Sequence, residues 1–189
     1  MGKIVSRALI IVDLQNDFMP NGALPIAGAD EIVQPINELM RTGKYNLIVA
    51  TQDWHPPNHC SFKKWPKHCV QGTPGAELHP GLDQRKISAI FRKGMHPKKE
   101  EYSVFESKNG PGILSSIILF RIDIIDIVGL AFDYCVRFTA VDAKDYARGH
   151  GGWQKVRILK SYTRTAIPKT EKMVLQELKD EDMEVVDCF

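Results

Sequence analysis

The chain has 189 residues, 43% of them hydrophobic and 25% charged, with a formal net charge of +2. That length supports a sizeable core and reads most simply as one domain spanning residues 1–189. The charge is too small and too scattered to suggest a nucleic-acid or membrane partner, and no apolar run approaches the roughly 18 residues of a spanning helix. "MGKIVSRALIIVD" lacks a small-residue cleavage site after its short hydrophobic run, so it is not read as a signal peptide. Cys60, Cys69, Cys135 and Cys188 form no CxxC pair, which predicts free thiols in a reducing, cytoplasmic compartment.

In chain order, "ALIIVD" (8–13) is a first strand, followed by a helical pattern in "DEIVQPINELMRTG" (30–43). There Ile32, Ile36, Leu39 and Met40 share one face, and Pro35 is tolerated only near the first turn. "NLIVATQD" (46–53) and "ISAIFRKG" (87–94) are further strands. "GPGILSSIILF" opens a helix with Pro111 in a start position. "IDIIDIVGL" (122–130) is a fourth strand, and the helix over 133–149 places Val136, Ala140, Ala143 and Ala147 on one stripe before Gly149. "VRILKS" (156–161) is the fifth strand, "IPKTEKMVLQELKDE" a last helix with Met173, Val174 and Leu178 inward, and "MEVVD" (183–187) a weaker sixth strand. The runs are continuous rather than alternating, as strands buried on both faces are. They predict an α/β three-layer sandwich: a mostly parallel sheet of about six strands with helices on both faces.

Ligands of an open α/β sheet bind beyond the carboxyl ends of its strands. Here those ends carry Asp13, then Asp53 and His55, then Lys93, while the fourth run leads through "GLAFDYC" to Cys135. Each has an ordinary reading: Asp13 as a turn cap, Lys93 as half of a solvated pair with Arg92, Cys135 as a small buried hydrophobe. Their joint placement is the signal. Cys135 falls in the first turn of its helix, where the dipole favours a thiolate; Asp13 is the candidate base, and Lys93 offsets negative charge. Asp53 and His55, two apart, point to one face and can share an ion, with His68 of "WPKHCVQGTPG" as a third ligand. One carboxylate and two imidazoles suit Zn²⁺, Fe²⁺ or Mn²⁺, while His59 is either a fourth ligand or a supporting residue. A His/Cys zinc site through Cys60 and Cys69 is the weaker alternative.

"ALIIVDLQNDFMPNGALPIAGAD", "TQDWHPPNHCSF", "WPKHCVQGTPGAELHP", "FRKG" and "IVGLAFDYCV" together resemble the nicotinamidase/pyrazinamidase branch of the isochorismatase-like cysteine hydrolases, in that family's order. The resemblance implies a triad of Asp13, Lys93 and Cys135 and a divalent metal, Zn²⁺ before Fe²⁺ or Mn²⁺, on Asp53, His55 and His68. It implies a planar amide substrate, nicotinamide, between Phe18 and Trp65, with Tyr102 and Tyr134 completing the pocket. The N–H groups of Ala131 and Cys135 would form the oxyanion hole, and in the family a cis peptide precedes the position matching Ala131. Phe132 replaces a small or hydroxylic residue, a departure expected to narrow the site or to shift the start of the helix. "KGMHPKKEEYSVF" and "ARGHGGWQKVRIL" differ in loops that bear on subunit contacts; a homo-oligomer is compatible with the sequence. The competing functions are a metal-free cysteine amidohydrolase acting on a carbamoyl or other small amide, and a non-catalytic metal-binding or redox-sensing module.

Overall fold

The computed structural model describes residues 5–42, 44–119, 121–149 and 154–187. Cys188, and much of the glycine-rich stretch after Gly149, lie outside the described residues. Six strands form one sheet: β1 (Arg7–Val12), β2 (Leu47–Asp53), β3 (Ala89–Lys93), β4 (Ile124–Leu130), β5 (Lys155–Arg164) and β6 (Glu184–Val186). Their order is β3-β2-β1-β4-β5-β6, and every pairing is parallel. The chain runs outward from β1 in one direction and then, from β4, in the other. That reversal between β1 and β4 is where such sheets bind ligands.

Among the described residues the α-helices are α1 (Val33–Arg41), α2 (Gly110–Leu119), α3 (Arg137–Gly149) and α4 (Glu171–Asp180). Along β1, Ala8, Ile10 and Val12 pack with residues of α2, α3 and α4, while Leu9 and Ile11 pack with α1 and the loops beside it. This period of two, with both faces buried, explains why the strands read as unbroken apolar runs. α1 begins later than its pattern suggests: a short 3₁₀ turn at Asp30–Ile32 precedes it, leaving Pro35 in the first helical turn. Val136, Ala140, Ala143 and Ala147 are all buried, as expected of the α3 stripe. Met173 is not inward: it is 54% exposed, whereas Val174 and Leu178 are buried. The 174/178 pair sets the α4 stripe, and residue 173 lies about 100° round the helix from it. Gly129, at φ 107°, lies against the Val12 backbone, so a side chain there would collide with β1.

Candidate active site

Four strand ends build the site. Asp13 leaves β1 with φ 46°, a left-handed conformation that Asp tolerates better than most residues. Its amide donates to Thr51 Oγ1 at 3.2 Å, and the Thr51 hydroxyl donates to Asp13 Oδ1 at 2.6 Å. These bonds turn the carboxylate toward β2. Lys93 ends β3 with its side chain fully buried. Its Nζ lies 2.8 Å from Asp13 Oδ2, 2.5 Å from Asp53 Oδ1 and 3.3 Å from Cys135 Sγ. A solvated Arg92–Lys93 pair is thereby excluded. Neighbours on a strand face opposite ways, and Arg92 turns outward onto Trp54, 3.6 Å from its ring centroid.

Cys135 sits in a π-type turn, Phe132–Val136, just before α3 rather than in its first turn. The N–H groups of Tyr134 and Val136 both donate to the Ala131 carbonyl at 3.1 Å. The Leu130–Ala131 peptide is cis. Burial pushes the Cys135 thiol well above its ordinary value; Lys93 opposes this, and Asp13 and Asp53 add to it. The surroundings therefore favour the thiol over the thiolate expected from a helix dipole alone, because desolvation of the anion opposes the dipole. Burial also raises Asp13, with Lys93 opposing and Asp53 reinforcing. For Asp53 burial acts upward too, but the Lys93 and His55 charges overcome it and hold the carboxyl well below its usual range. Lys93 would be lowered by burial, yet Asp13, Asp53 and Cys135 keep it firmly protonated. The cluster thus favours the charged forms of Lys93 and Asp53 and sets beside them a carboxyl and a thiol, both pushed up by burial.

Asp53, His55 and His68 bring one ligand atom each to within 4.8 Å of one another, all three residues buried. His55 Nδ1 donates to the Gly94 carbonyl at 3.0 Å and His68 Nδ1 to the Pro66 carbonyl at 2.7 Å. In its neutral form each ring therefore keeps an unshared pair at Nε2, and His55 Nε2 faces Asp53 Oδ2 at 3.5 Å. The Asp53 backbone is clamped by Gln15, which accepts its N–H at 2.9 Å and donates to its carbonyl at 2.8 Å. One carboxylate oxygen and two imidazole nitrogens fit a zinc-like ion with positions left open. Two buried carboxylates facing one ammonium also leave net negative charge, which such an ion offsets. Among the described residues, neither Cys60 nor Cys69 joins a ligand cluster, so the His/Cys alternative fails.

Phe18, Trp65, Tyr102, Ala131 and Tyr134 line one cavity of about 80 Å³ together with Asp53, His68 and Cys135. Trp65 meets Tyr134 edge-on at 5.2 Å between centroids, and Tyr102 lies 5.4 Å from Tyr134. The result is a cavity with aromatic walls into which the Cys135 thiol, Asp53 and His68 all face, the Asp53 carboxylate within 4.8 Å of the sulfur. Phe132 is absent from its lining: it is fully buried in the core beside Val136 and Ala140. The expected narrowing does not occur, because the turn aims this ring away from the site. Sequence reasoning missed Leu24, Pro25, Ile26, Glu100, Glu101 and Ala166 in the walls. All lie in loops, where no periodicity marks direction.

Residues 7–150 match the family described as Isochorismatase domain. The chain is 43% identical to a nicotinamidase of Acinetobacter baylyi over 159 residues, covering 72% of this chain and 73% of that protein. It superposes on the structure of PnC1 from L. infantum in complex with nicotinate with a TM-score of 0.88 at 35% identity, covering 97% of this chain and 93% of that one. The pyrazinamidase of Pyrococcus horikoshii in complex with zinc gives a TM-score of 0.84 at 40% identity, covering 97% and 99%. A parallel sheet with its reactive groups at the β1/β4 reversal, a match over most of the sequence and agreement of the whole backbone have one consequence: the chain belongs to the isochorismatase domain family.

Proposed function

We propose that the protein is a nicotinamidase, an amide-hydrolysing enzyme that converts nicotinamide to nicotinate and ammonia in NAD salvage, and that pyrazinamide is also a substrate. The observation that carries this reading is the Lys93 ammonium, buried within 3.3 Å of a thiol and two carboxylates, with that thiol and one of the carboxylates lining a cavity with aromatic walls. Asp13, Lys93 and Cys135 act as the catalytic triad. The ring lies between Phe18 and Trp65, with Tyr102 and Tyr134 closing the cavity and the carboxamide directed at Cys135. The Asp13 carboxylate takes the Sγ proton as sulfur attacks the amide carbon. The C–S bond forms, and the carbonyl electrons move onto oxygen, which the N–H groups of Ala131 and Cys135 receive. Asp13 passes the proton to nitrogen; the C–N bond breaks, ammonia leaves and a thioester remains. Asp13 then takes a proton from water as its oxygen adds to the thioester carbon. Cleavage of the C–S bond returns the sulfur, with its proton, and releases nicotinate. Lys93 stays charged throughout and steadies the anionic states.

Asp53, His55 and His68 would hold the divalent ion, with Zn²⁺ favoured over Fe²⁺ and Mn²⁺; when bound it supplies an anchor for the ring nitrogen and positive charge beside Asp53. The chain works as one domain, and a catalytic free thiol suits a cytoplasmic setting. The test is ammonia release from nicotinamide by the purified protein, before and after treatment with a strong chelator, with mass spectrometry for a nicotinoyl adduct on Cys135. Release that stops on chelation, with the adduct trapped at early times, supports the reading. Undiminished turnover in metal-free protein would instead favour a metal-independent amidohydrolase.

A further inference from the structure

We infer that His59 is a positioning residue that holds the His55 ring for the metal without itself being a ligand. The inference rests on the reading of Asp53, His55 and His68 as ligands of a divalent ion. His59 lies four residues after His55, and by spacing alone it is as good a donor as any histidine in the chain. Its ring is 2% exposed and stacks on His55 with centroids 4.1 Å apart and planes 18° from parallel.

What separates it from the other two histidines is the use of its nitrogens. Nδ1 accepts the Ser61 N–H at 3.2 Å and lies 2.7 Å from the Ser61 hydroxyl. Nε2 lies 3.0 Å from the Lys99 carbonyl oxygen, which fixes the proton there. A neutral imidazole has a single unshared pair in the ring plane, and in His59 it is committed to Ser61. His55 and His68 show the opposite pattern, with Nδ1 donating to a carbonyl and Nε2 left open. Close packing therefore brings together three rings of which two can ligate and one cannot.

The same loop anchors both supports of His55. Lys99 and Glu101 belong to the charged stretch "KKEEY", whose sequence suggests only a solvated turn. Lys99 fixes His59 through its carbonyl, and the Glu101 carboxylate accepts the Gly94 N–H at 3.0 Å. Gly94 in turn receives the His55 Nδ1–H. The Cys60 N–H donates to Pro97 at 2.9 Å and ties the loop to the His59 segment. His55 is thus fixed at one ring edge by Gly94 and across one face by His59, which leaves its Nε2 a single direction.

The experiment compares wild type, His59→Ala, His59→Phe and His55→Ala, all full-length and first stripped of metal, by titration with Zn²⁺ against a chromophoric chelator. Supporting residues of a metal site change affinity by about 10–100-fold when removed. His59→Ala is expected to weaken zinc binding by that factor, and His59→Phe, which keeps the ring face but cannot ligate, to restore it to within about threefold. Wild-type affinity in His59→Ala overturns the inference, as does a loss in His59→Phe equal to that in His59→Ala. X-ray absorption of the zinc-loaded wild type gives a reading independent of variant folding: two imidazole donors are expected, and three overturn it. A wild type that takes up no zinc overturns the ligand reading and this inference with it, an outcome visible before any variant is made.

Discussion

Asp13 and Asp126 are both fully buried carboxylates of the same sheet, each facing a cation, at opposite ends of adjacent strands. Asp126, near the start of β4, accepts Arg157 Nε at 2.7 Å, Arg157 Nη2 at 2.9 Å and Tyr45 Oη at 3.0 Å. Arg157 is its register partner on β5, and Arg7 of β1 stands 4.0 Å away. A planar guanidinium fork matched to a carboxylate saturates the acceptor and leaves it nothing further to do. At the other end a single ammonium, a point charge, is shared among Asp13, Asp53 and Cys135. Its three N–H groups face three acceptors, but Asp13 Oδ2 is left without a well-aligned hydrogen bond, and the cluster opens on a cavity. The difference between a saturated carboxylate and a shared cation separates the end that holds the fold from the end proposed to react. Substitutions at the two ends should therefore divide cleanly between activity and stability.

The largest expected effect is at the reactive end. Cys135→Ala should lower kcat/KM for nicotinamide by about 10⁴-fold or more, since in the proposed mechanism it is the covalent nucleophile and its loss disables the triad as a unit. Its unfolding midpoint in denaturant should stay near that of wild type, because a small side chain is lost from a pocket wall. A large stability loss with appreciable turnover would show that the sulfur is there for packing.

Next in size is the opposite result at the other end. Asp126→Ala leaves the Arg157 guanidinium without its carboxylate and should cost about 3 kcal/mol. In a chain of this length that is a fall of about 6–12 °C in Tm. Activity per folded molecule should change by no more than about twofold. A thermal melt beside an ammonia assay reads both, and a selective activity loss would erase the distinction between the ends.

These two clusters were unequally legible in the sequence. Asp13, Asp53, Lys93 and Cys135 could be found because each follows an apolar run, and a parallel sheet gathers the carboxyl ends of its strands. Asp126 lies inside such a run, and its partners Arg157 and Tyr45 are 31 and 81 residues away with no spacing to mark them. Only strand register pairs them. β1, β2 and β4 were legible because burial on both faces leaves mostly Ala, Ile, Val and Leu, whereas edge strand β3 alternates and leaves Ile90 exposed. The outward turn of Met173 and the core direction of Phe132 were not, since one residue of rotation decides each. The identity of His59 as support or ligand was likewise hidden, because its spacing suits both roles and only its hydrogen bonds tell them apart.

A third, smaller effect sharpens the reactive end. His68→Ala removes one of two open imidazole nitrogens while leaving the Lys93 cluster intact. Activity should fall by about 100-fold, the upper end of the range for disturbed metal sites, together with the zinc content of the purified protein. Wild-type activity in a protein with no bound ion would detach the metal ligands from the chemistry and leave the lysine cluster as the whole active site.

The smallest predicted effect tests the saturation argument itself. Tyr45→Phe removes one hydroxyl donor to Asp126 Oδ2 and leaves both bonds of the Arg157 fork. If the carboxylate is held chiefly by the fork, the cost is one hydrogen bond, about 1 kcal/mol, or a fall of about 2–4 °C in Tm. The Tyr45 hydroxyl is itself pushed far above its ordinary value by burial and then by Asp126, so it donates as a neutral group at any working pH. A loss as large as that of Asp126→Ala would mean that the three donors act as one network rather than a fork plus an addition. A double-mutant cycle with Arg157→Met would then show coupling well beyond the sum of the separate changes.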